Sequence, residues 1–263
     1  MRGIMIYRRM QIGDWAAFLR VVLSLSCAVF LNMLTGVEVA ADTRFQDQLD
    51  RAGIAYQVPT VGKAILVNIP SFELIAFDDG TPVLRSRVIV GAPRHRTPRL
   101  STYVSAVRFR PTWRPTPSMI ASGAYSDRVW PAGERNPLGL AAVRLEPGLL
   151  VYLHDTNRRE LFTEENRALS HGCVRVEQWI ALVAFVLDMD AATVTRLANG
   201  TRTFDEPAPP IPVTLGYYTR FPDAFGRVAE YADIYVLHQA STGSTQAATS
   251  TDALACAVGF ATD

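Results

Sequence analysis

The chain is poor in cysteine, with three among 263 residues, at positions 27, 173 and 256, beside four histidines. Only Cys173 has histidines nearby, and no second close pair of thiol or imidazole ligands accompanies it. Because structural zinc sites are built from such pairs, we expect no metal site. The G-x-S-x-G elbow of serine hydrolases is also absent around Ser170, so the sequence does not predict a serine nucleophile.

The chain also lacks an excess of either positive or negative charge. The formal net charge is +1, and removal of residues 1–41, which contain four arginines and two acidic residues, would leave −1. A chain this close to neutrality lacks the basic footprint of a nucleic-acid-binding protein. We therefore expect no nucleic acid among its partners.

The N-terminal region lacks an apolar run long enough for an unambiguous membrane span. Val21–Leu34 provides about 14 residues, against the roughly 20 that cross a bilayer. Arg8 and Arg9 precede the run and the small residues VEVAADT follow it, which is the order of a signal peptide. We expect residues 1–41 to be cleaved after Ala41 and the protein to be exported to the periplasm. The alternative is an uncleaved anchor over Trp15–Leu34, which would tether the protein to the inner membrane.

The segment ALSHGCVRVE, residues 168–177, supplies what a cysteine nucleophile needs. A thiol is mostly protonated near neutral pH and requires a base or a positive field to react. His171 is too close in sequence to turn back onto Cys173, so the more distant His154 is the better candidate base. Gly172 permits unusual backbone conformations, so the main-chain N–H groups around it can form an oxyanion hole, worth roughly 3 kcal/mol per donor.

Two neighbours of Cys173 have candidate roles in substrate binding. Arg175 adds a fixed positive charge that lowers the thiol pKa or binds a substrate carboxylate. The Ser170 hydroxyl braces the turn or hydrogen-bonds substrate. The competing interpretation of Cys173 is inert packing, since lone cysteines are among the most buried residues.

At these positions the chain resembles the L,D-transpeptidases with a YkuD-type catalytic domain. Their signature is a histidine, about fifteen residues, then Ser/Thr-His-Gly-Cys and an arginine two positions on, and this chain matches every place. The segments VYLHDT, LFTEENRALSHGCVRV, ILVNIPSFELIAF and NPLGL are similar to the YcbB-like branch, as is Asp155, where many members have glycine. The resemblance runs from about Lys63 to about Gln239.

The resemblance implies cysteine-dependent acyl transfer on peptidoglycan stem peptides, with no cofactor. In the family the thiolate attacks the carbonyl of the diamino acid at stem position three and expels the terminal D-alanine. The acyl group then passes to a neighbouring amine, which forms a 3→3 cross-link or exchanges the terminal D-amino acid. Carbapenems acylate the same cysteine.

Family roles transfer to this chain position by position. Cys173 would be the nucleophile and His154 the base, with the Asp155 main-chain carbonyl orienting the imidazole. Backbone amides of His171, Gly172 and Cys173 would hold the oxyanion.

Two other functions stay open. The first is a cysteine hydrolase on the same fold, an amidase or L,D-carboxypeptidase, because water can replace the acceptor amine. The second is an inactive wall-binding module, since fold resemblance alone does not establish catalysis. Only a short linker, residues 42–62, separates the expected cleavage point from the catalytic domain at 63–240. That length leaves no room for the peptidoglycan-binding and scaffold domains of similar proteins.

Hydrophobic patterning predicts a mainly β domain with flanking helices, in agreement with the mixed-sheet β-sandwich that the resemblance implies. Asp78-Asp79-Gly80 predicts a hairpin turn between two of the strands. Residues 176–188 predict a long apolar helix, and a second helix follows an Asp190 N-cap and stops at Gly200. The predicted strands are KAILVNI, FELIAF, VLRSRVIVG, YVSAVRF, LLVYLH and IPVTLGYYT.

Two segments interrupt this pattern. Residues 111–148 are rich in Pro, Gly and aromatics, which predicts a lid-like insertion, and Trp113, Tyr125 and Trp130 are candidate walls for substrate. Residues 241–263 predict a flexible tail. The tail contains Cys256, whose pairing with Cys173 would consume the nucleophile, so we expect no structural disulfide.

Overall fold

The computed structural model describes residues 44–237 of the chain. The predicted signal segment 1–41 and the predicted tail 241–263 lie outside these residues. The strands, numbered in chain order, are β1 (Lys63–Asn68), β2 (Glu73–Asp78), β3 (Thr81–Gly91), β4 (Leu100–Phe109), β5 (Ala141–Leu145), β6 (Tyr152–His154), β7 (Ala168–Ser170), β8 (Val174–Val176), β9 (Phe204–Pro207), β10 (Pro212–Gly216), β11 (Arg220–Pro222) and β12 (Val228–Glu230). The helices are α1 (Phe45–Ala52), α2 (Pro117–Ala121), α3 (Trp179–Leu187) and α4 (Ala191–Ala198), with a 3-10 helix at Arg159–Thr163.

Ten of the described strands form one mixed sheet in the order β10-β1-β2-β3-β8-β6-β5-β4-β9, with β7 added beside β3. The sheet closes on itself because β10 pairs in parallel with β1 and antiparallel with β4. The β3–β7 and β6–β8 pairs are also parallel. The prediction of a mainly β, mixed-sheet domain with flanking helices is confirmed.

The hairpin between β2 and β3 has the predicted turn chemistry. Asp79 and Gly80 have φ values of 46° and 79°. Positive φ at both central residues matches the right-handed twist of the flanking strands, and aspartate and glycine tolerate it. The turn therefore sets the register of the long strand β3, which carries the chain toward the cysteine motif.

Helices α3 and α4 form where the sequence predicts them, after the cysteine motif, and they contact each other. In α3 the buried residues Trp179, Leu182, Val183 and Val186 follow helical spacing and face the main core. The carboxylate of Asp190 accepts a hydrogen bond from the Thr193 N–H at 2.8 Å, which caps α4. Within residues 44–237, no helix has the length and apolar character needed to span a membrane.

Strands β1 and β2 are buried on both faces. Alternate residues such as Ile65 and Leu74 face the main core, while Leu66 and Ile75 face a second cluster beneath α1. Leu49 of α1 has no exposed surface there. The expected linker 42–62 therefore contains a packed helix that covers one face of the sheet.

Candidate active site

Strands β6 and β8 bring the predicted nucleophile and base together. The two strands are parallel neighbours, with Cα partners Leu153–Val174 and His154–Arg175. Because side chains two residues apart share a face, this register places His154, Arg175 and Cys173 on one side of the sheet. All three line the same cavity of about 30 Å³. Residues that are 19 positions apart in sequence thus meet through the pairing of two three-residue strands.

Cys173 is 5% exposed, and its sulfur lies 3.8 Å from the Leu150 carbonyl oxygen. The structure has Cys173 in a disulfide, so the expectation of no disulfide at this residue is wrong. The other two cysteines, Cys27 and Cys256, lie outside the described residues. Because a disulfide sulfur is not a nucleophile, only the reduced thiol of Cys173 can carry out nucleophilic chemistry.

The turn from Ser170 to Cys173 is held by the Ser170 side-chain hydroxyl. The Ser170 Oγ donates to the Cys173 carbonyl at 2.5 Å and accepts from the Gly172 N–H at 3.1 Å. Gly172 has φ 113°, a value that side chains rarely adopt. Since the Gly172 N–H is engaged in the turn, the predicted oxyanion donors reduce to the amides of His171 and Cys173. The Ser170 hydroxyl braces the turn, the first of its two expected roles, while its contact with substrate stays a prediction.

Thr97 fixes the peptide before Cys173. Its side chain is buried, and its Oγ1 donates to the Gly172 carbonyl at 2.8 Å while accepting from the Gly91 N–H at 2.8 Å. The carbonyl of Gly172 and the N–H of Cys173 belong to one trans peptide and point in opposite directions. By holding that carbonyl, Thr97 directs the Cys173 N–H to the opposite side of the peptide.

The side chain of Tyr235 hydrogen-bonds to the main chain of Thr97. The Tyr235 hydroxyl accepts from the Thr97 N–H at 3.1 Å and donates to the Gly91 carbonyl at 2.7 Å. Gly91 admits no side chain, because a Cβ there would lie 2.0 Å from the His95 carbonyl oxygen. Sequence reasoning missed this network, since its members are separated by up to 144 residues.

His154 is buried as a neutral imidazole. Its Nδ1 is hydrogen-bonded to the Asp155 main-chain carbonyl; a carbonyl can only accept, so Nδ1 carries the proton and Nε2 is left as the basic nitrogen. Burial, followed by the positive charge of Arg175, lowers the pKa of His154 to about 3. Hydrogen bonds with the Asp155 and Leu138 main chain raise the pKa by less. A neutral imidazole is the form that accepts a proton from a thiol.

The Asp155 side chain holds the loop that faces His154. Its carboxylate accepts from the Leu140 N–H at 2.9 Å and pairs with Arg159 at 2.6 Å. Burial raises the pKa of this carboxyl, against the lowering effect of those partners. Gly139 has φ 66°, and a Cβ there would lie 2.3 Å from the carboxylate. Sequence reasoning assigned a role only to the Asp155 carbonyl and missed this function of its side chain.

Two basic residues, Arg175 and His171, line the cavity, and their charge states determine its electrostatic potential. Arg175 is partly buried, and burial lowers the pKa of its guanidinium. The rings of His171 and His95 stack with centroids 4.6 Å apart. Burial, then the charges of His95 and Arg175, lowers the pKa of His171. Arg175 therefore supplies the fixed positive charge, while His171 is neutral near neutral pH.

Residues from the first part of the predicted lid line the cavity, whereas Ala141–Leu145, in its last part, is strand β5 of the main sheet. Trp113 and Trp130 exchange main-chain hydrogen bonds of 3.0 and 2.7 Å, which closes the loop between them. Trp113 and Tyr125, with ring centroids 4.8 Å apart, line the cavity with Cys173. Trp130 packs on both rings from behind and lines a different cavity. The three candidate wall residues thus form one aromatic cluster, of which two members face the nucleophile.

Asn136 anchors the lid to the rest of the domain. Its buried side-chain amide donates to the main-chain carbonyls of Pro111, Trp130 and Pro131 at 2.9–3.2 Å, and its carbonyl accepts from the Leu138 N–H at 2.9 Å. Both ends of the lid are therefore connected to the loop that Asp155 holds. Among the described residues, no three His, Cys, Asp or Glu side chains lie close enough together to hold a metal ion.

A family model for the YkuD L,D-transpeptidase catalytic domain matches residues 62–214. A Haemophilus influenzae protein with the provisional name L,D-transpeptidase is 31% identical over 221 residues, covering 68% of this chain and 45% of that protein. The YbiS protein of Escherichia coli K12, with the same provisional name, is 33% identical over 141 residues, covering 49% of this chain and 44% of that protein. The chain thus spans just under half the length of these relatives.

Among solved structures, an L,D-transpeptidase from Mycobacterium smegmatis has a TM-score of 0.40 at 15% identity, covering 59% of this chain and 58% of that one. L,D-transpeptidase 3 from Mycobacterium tuberculosis, solved with a faropenem-derived adduct, has a TM-score of 0.36 at 15% identity and covers 59% and 60% of the two chains.

Proposed function

We propose that this protein is an L,D-transpeptidase of peptidoglycan stem peptides. The chain belongs to the YkuD family of L,D-transpeptidase catalytic domains, which supports the proposal. It would act through an acyl-enzyme on reduced Cys173, and form 3→3 cross-links or exchange the terminal D-amino acid. The observation that carries this proposal is one cavity that contains the Cys173 sulfur and a neutral imidazole whose Nδ1 is hydrogen-bonded to the Asp155 carbonyl.

In the acylation step, the Nε2 of His154 takes the proton of the Cys173 thiol as the sulfur attacks the carbonyl carbon of the donor stem. The negative charge moves to the carbonyl oxygen, where the amides of Cys173 and His171 and the charge of Arg175 stabilise it. As the tetrahedral intermediate collapses, the C–N bond breaks. His154 then returns the proton to the departing D-alanine amine, which leaves a thioester on Cys173.

In the second step, an acceptor amine attacks the thioester. His154 takes a proton from the attacking amine, and the C–S bond breaks as the new amide forms. The proton then returns to the sulfur, which restores the thiol and the neutral imidazole. Each step needs only the proton that His154 carries, so no cofactor enters the reaction.

The test is mass spectrometry of the full chain in reducing buffer with a disaccharide-tetrapeptide. We expect dimeric muropeptides and the loss of D-alanine. Cys173→Ala should abolish turnover, and His154→Ala should slow it at least ~100-fold, the range for loss of a general base. Cys256→Ala is the matched cysteine control and should remain active.

The products also separate the competing functions. Tripeptide without dimer would replace the transpeptidase proposal with the hydrolase, in which water attacks the thioester. No product, together with no carbapenem adduct on Cys173, would identify an inactive wall-binding module. Turnover by Cys173→Ala would refute the assignment of the nucleophile.

We further propose that the protein works in the periplasm, where stem peptides are located. Support comes from the sequence of residues 1–41, with its basic start, short apolar run and small-residue end. Fractionation of the expressing cell, with N-terminal sequencing of the recovered protein, tests the location and distinguishes cleavage after Ala41 from an uncleaved anchor. Recovery in the cytoplasmic fraction would contradict the proposal.

A further inference from the structure

A second, larger cavity lies on the outer side of the lid. Its volume is about 760 Å³, and it extends between the lid segment 128–135 and the end of α4 at Asn199. Its charged lining residues are Arg110, Arg128 and Arg135, opposed by Glu134. We call it the arginine cavity, and none of its residues has a role in the acyl-transfer steps above.

Within residues 44–237, no ion pair compensates the arginines of this cavity. Nine ion pairs join described residues, and eight of them use an arginine. None of these eight is Arg110, Arg128 or Arg135, and Glu134 also makes no ion pair within residues 44–237. Three guanidinium groups against one carboxylate leave a net positive field inside a concave surface, which raises the local concentration of anions.

Two of the three arginines, Arg110 and Arg128, are positioned by contacts with the protein. The Arg128 guanidinium lies 4.3 Å from the centre of the Trp130 ring, a stacked arrangement that fixes its plane. Arg110 has φ 51°, its N–H donates to the Leu140 carbonyl at 2.8 Å, and its Nη1 donates to the Ala198 carbonyl at 3.3 Å. A non-glycine residue in the left-handed region is strained, and such strain clusters at binding sites.

Two polar atoms of the cavity residues are buried without a hydrogen-bond partner among the described residues, Arg110 Nε and Trp130 Nε1. Buried donors are normally satisfied, so an orphaned pair on the lining of one cavity calls for an explanation. Neither atom is accessible to the cavity in this arrangement, so a bound acceptor reaches each of them only if the side chain that carries it moves. Planar arginine forks favour carboxylates, which accept two parallel hydrogen bonds.

We propose that the arginine cavity binds the carboxylates of a second peptidoglycan stem peptide, an inference that rests on the proposed function. The volume accommodates several residues, and Trp130, Pro131 and Leu140 provide apolar surface for small side chains such as alanine methyl groups. Trp130 packs on Trp113 and Tyr125, which line the catalytic cavity. A stem held there would therefore lie one aromatic layer away from Cys173.

Binding is measured by calorimetry with two probes that differ only in charge. One is a synthetic stem tetrapeptide with free carboxylates, and the other is the same peptide with its carboxylates amidated. The full chain carries Cys173→Ala so that no turnover occurs. We expect the acid to bind, the amide to bind at least tenfold more weakly, and the affinity for the acid to fall with added salt.

Substitutions locate the site. Arg128→Gln and Arg135→Gln should each weaken binding of the acid about tenfold, the usual loss for a charge-assisted hydrogen bond. Arg51→Gln, an exposed arginine on α1, is the matched control and should bind as the parent does. Quenching of Trp130 fluorescence, identified by its loss in Trp130→Phe, reports occupancy beside that ring.

Three results would overturn the proposal. They are equal binding of acid and amide, unchanged affinity in both arginine variants, and inorganic phosphate binding as tightly as the peptide, which would indicate a site for small anions. Carbapenem labelling of Cys173 in the unsubstituted chain is measured separately. Labelling without peptide binding would sink this inference alone, whereas absence of labelling would count against the proposed function.

Discussion

Thr97 is expected to position the Cys173 main-chain N–H without taking part in the reaction itself, and its substitution tests that role. Its hydroxyl joins the Gly91 N–H to the Gly172 carbonyl, and thereby directs the Cys173 amide. Thr97→Val keeps the shape but leaves both main-chain groups unpaired, which costs about 1–3 kcal/mol of unfolding free energy. We expect the rate constant for carbapenem acylation to fall about 10- to 100-fold with little change in drug affinity, because the oxyanion donor is misdirected.

The matched variant for this experiment is Thr97→Ser, which retains the hydroxyl and should restore the acylation rate. Stopped-flow fluorescence measures the rate, and urea unfolding measures stability. A Thr97→Val variant that is less stable but acylates at the parental rate would limit Thr97 to a structural role.

The buried imidazole of His154 should be visible in the pH dependence of stability. The pKa of His154 is about 3 in the folded chain and about 6.5 in an unfolded one. Between these values the unfolded chain binds a proton that the folded chain does not. The free energy of unfolding should therefore fall as the pH drops below 6.5, by about 1.4 kcal/mol per pH unit from this group.

Urea titrations at pH 7, 6 and 5 measure this effect. In the His154→Gln variant, the unfolding free energy should depend less steeply on pH, because the contribution of His154 is lost. The contribution of His171, whose pKa is also lowered, remains. Equal slopes for parent and variant would show that folding does not lower the pKa of His154.

At the scale of elements, the loop before β5 is fitted closely to the Asp155 carboxylate. Gly139→Ala would place a methyl group 2.3 Å from that carboxylate at a φ of 66°. We expect a loss of at least ~2 kcal/mol of unfolding free energy, from the clash and from the left-handed backbone. Because the displaced Asp155 carries the carbonyl that orients His154, acylation should also slow.

Gly148→Ala is the control for this prediction. Gly148 has φ 92° with open space where its Cβ would lie, so the substitution adds backbone strain without a clash. Calorimetric melting and acylation rates are compared for the two variants. Equal destabilisation, with acylation unaffected in both, would show that the contact with Asp155 is unimportant.

At the scale of the whole molecule, α1 belongs to the catalytic domain. Leu49 is fully buried against the outer face of β1 and β2. Leu49→Ala should cost about 2–5 kcal/mol, whereas Arg51→Ala, at an exposed position of the same helix, should cost less than ~0.5 kcal/mol. Chemical unfolding measures both. A Leu49→Ala variant as stable as the parent would restore the interpretation of residues 42–62 as a linker.

The sequence predicted those parts of the fold that depend on local signals. The Asp78-Asp79-Gly80 turn, the Asp190 cap and the apolar spacing of α3 were all readable because each involves residues close in the chain. The helix α1 was missed because the segment looked like a linker beside a cleavage site. Strand β6 lies within the predicted strand LLVYLH, whereas the three-residue strands β7 and β8 are too short to show a clear period. The pairing of all three strands depends on distant partners.

In the candidate site, too, some features depend on local sequence signals and others on contacts between distant segments. The cysteine motif and His154 are recognisable from residue types and spacing. The roles of Thr97, Tyr235 and the Asp155 carboxylate depend on contacts between distant segments, which one sequence does not reveal. The engagement of the Gly172 amide by Ser170 is local, yet it follows from backbone angles that the residue types alone do not set.

The closure of the sheet has a consequence for how folded copies of the protein behave at high concentration. In the main sheet, only β7 and β9, of three and four residues, have a single partner strand within residues 44–237. Unpaired strand edges are templates for intermolecular β-pairing, and short ones offer few hydrogen bonds to an incoming chain. Folded copies should therefore resist polymerising edge to edge, even when many are concentrated in a small volume.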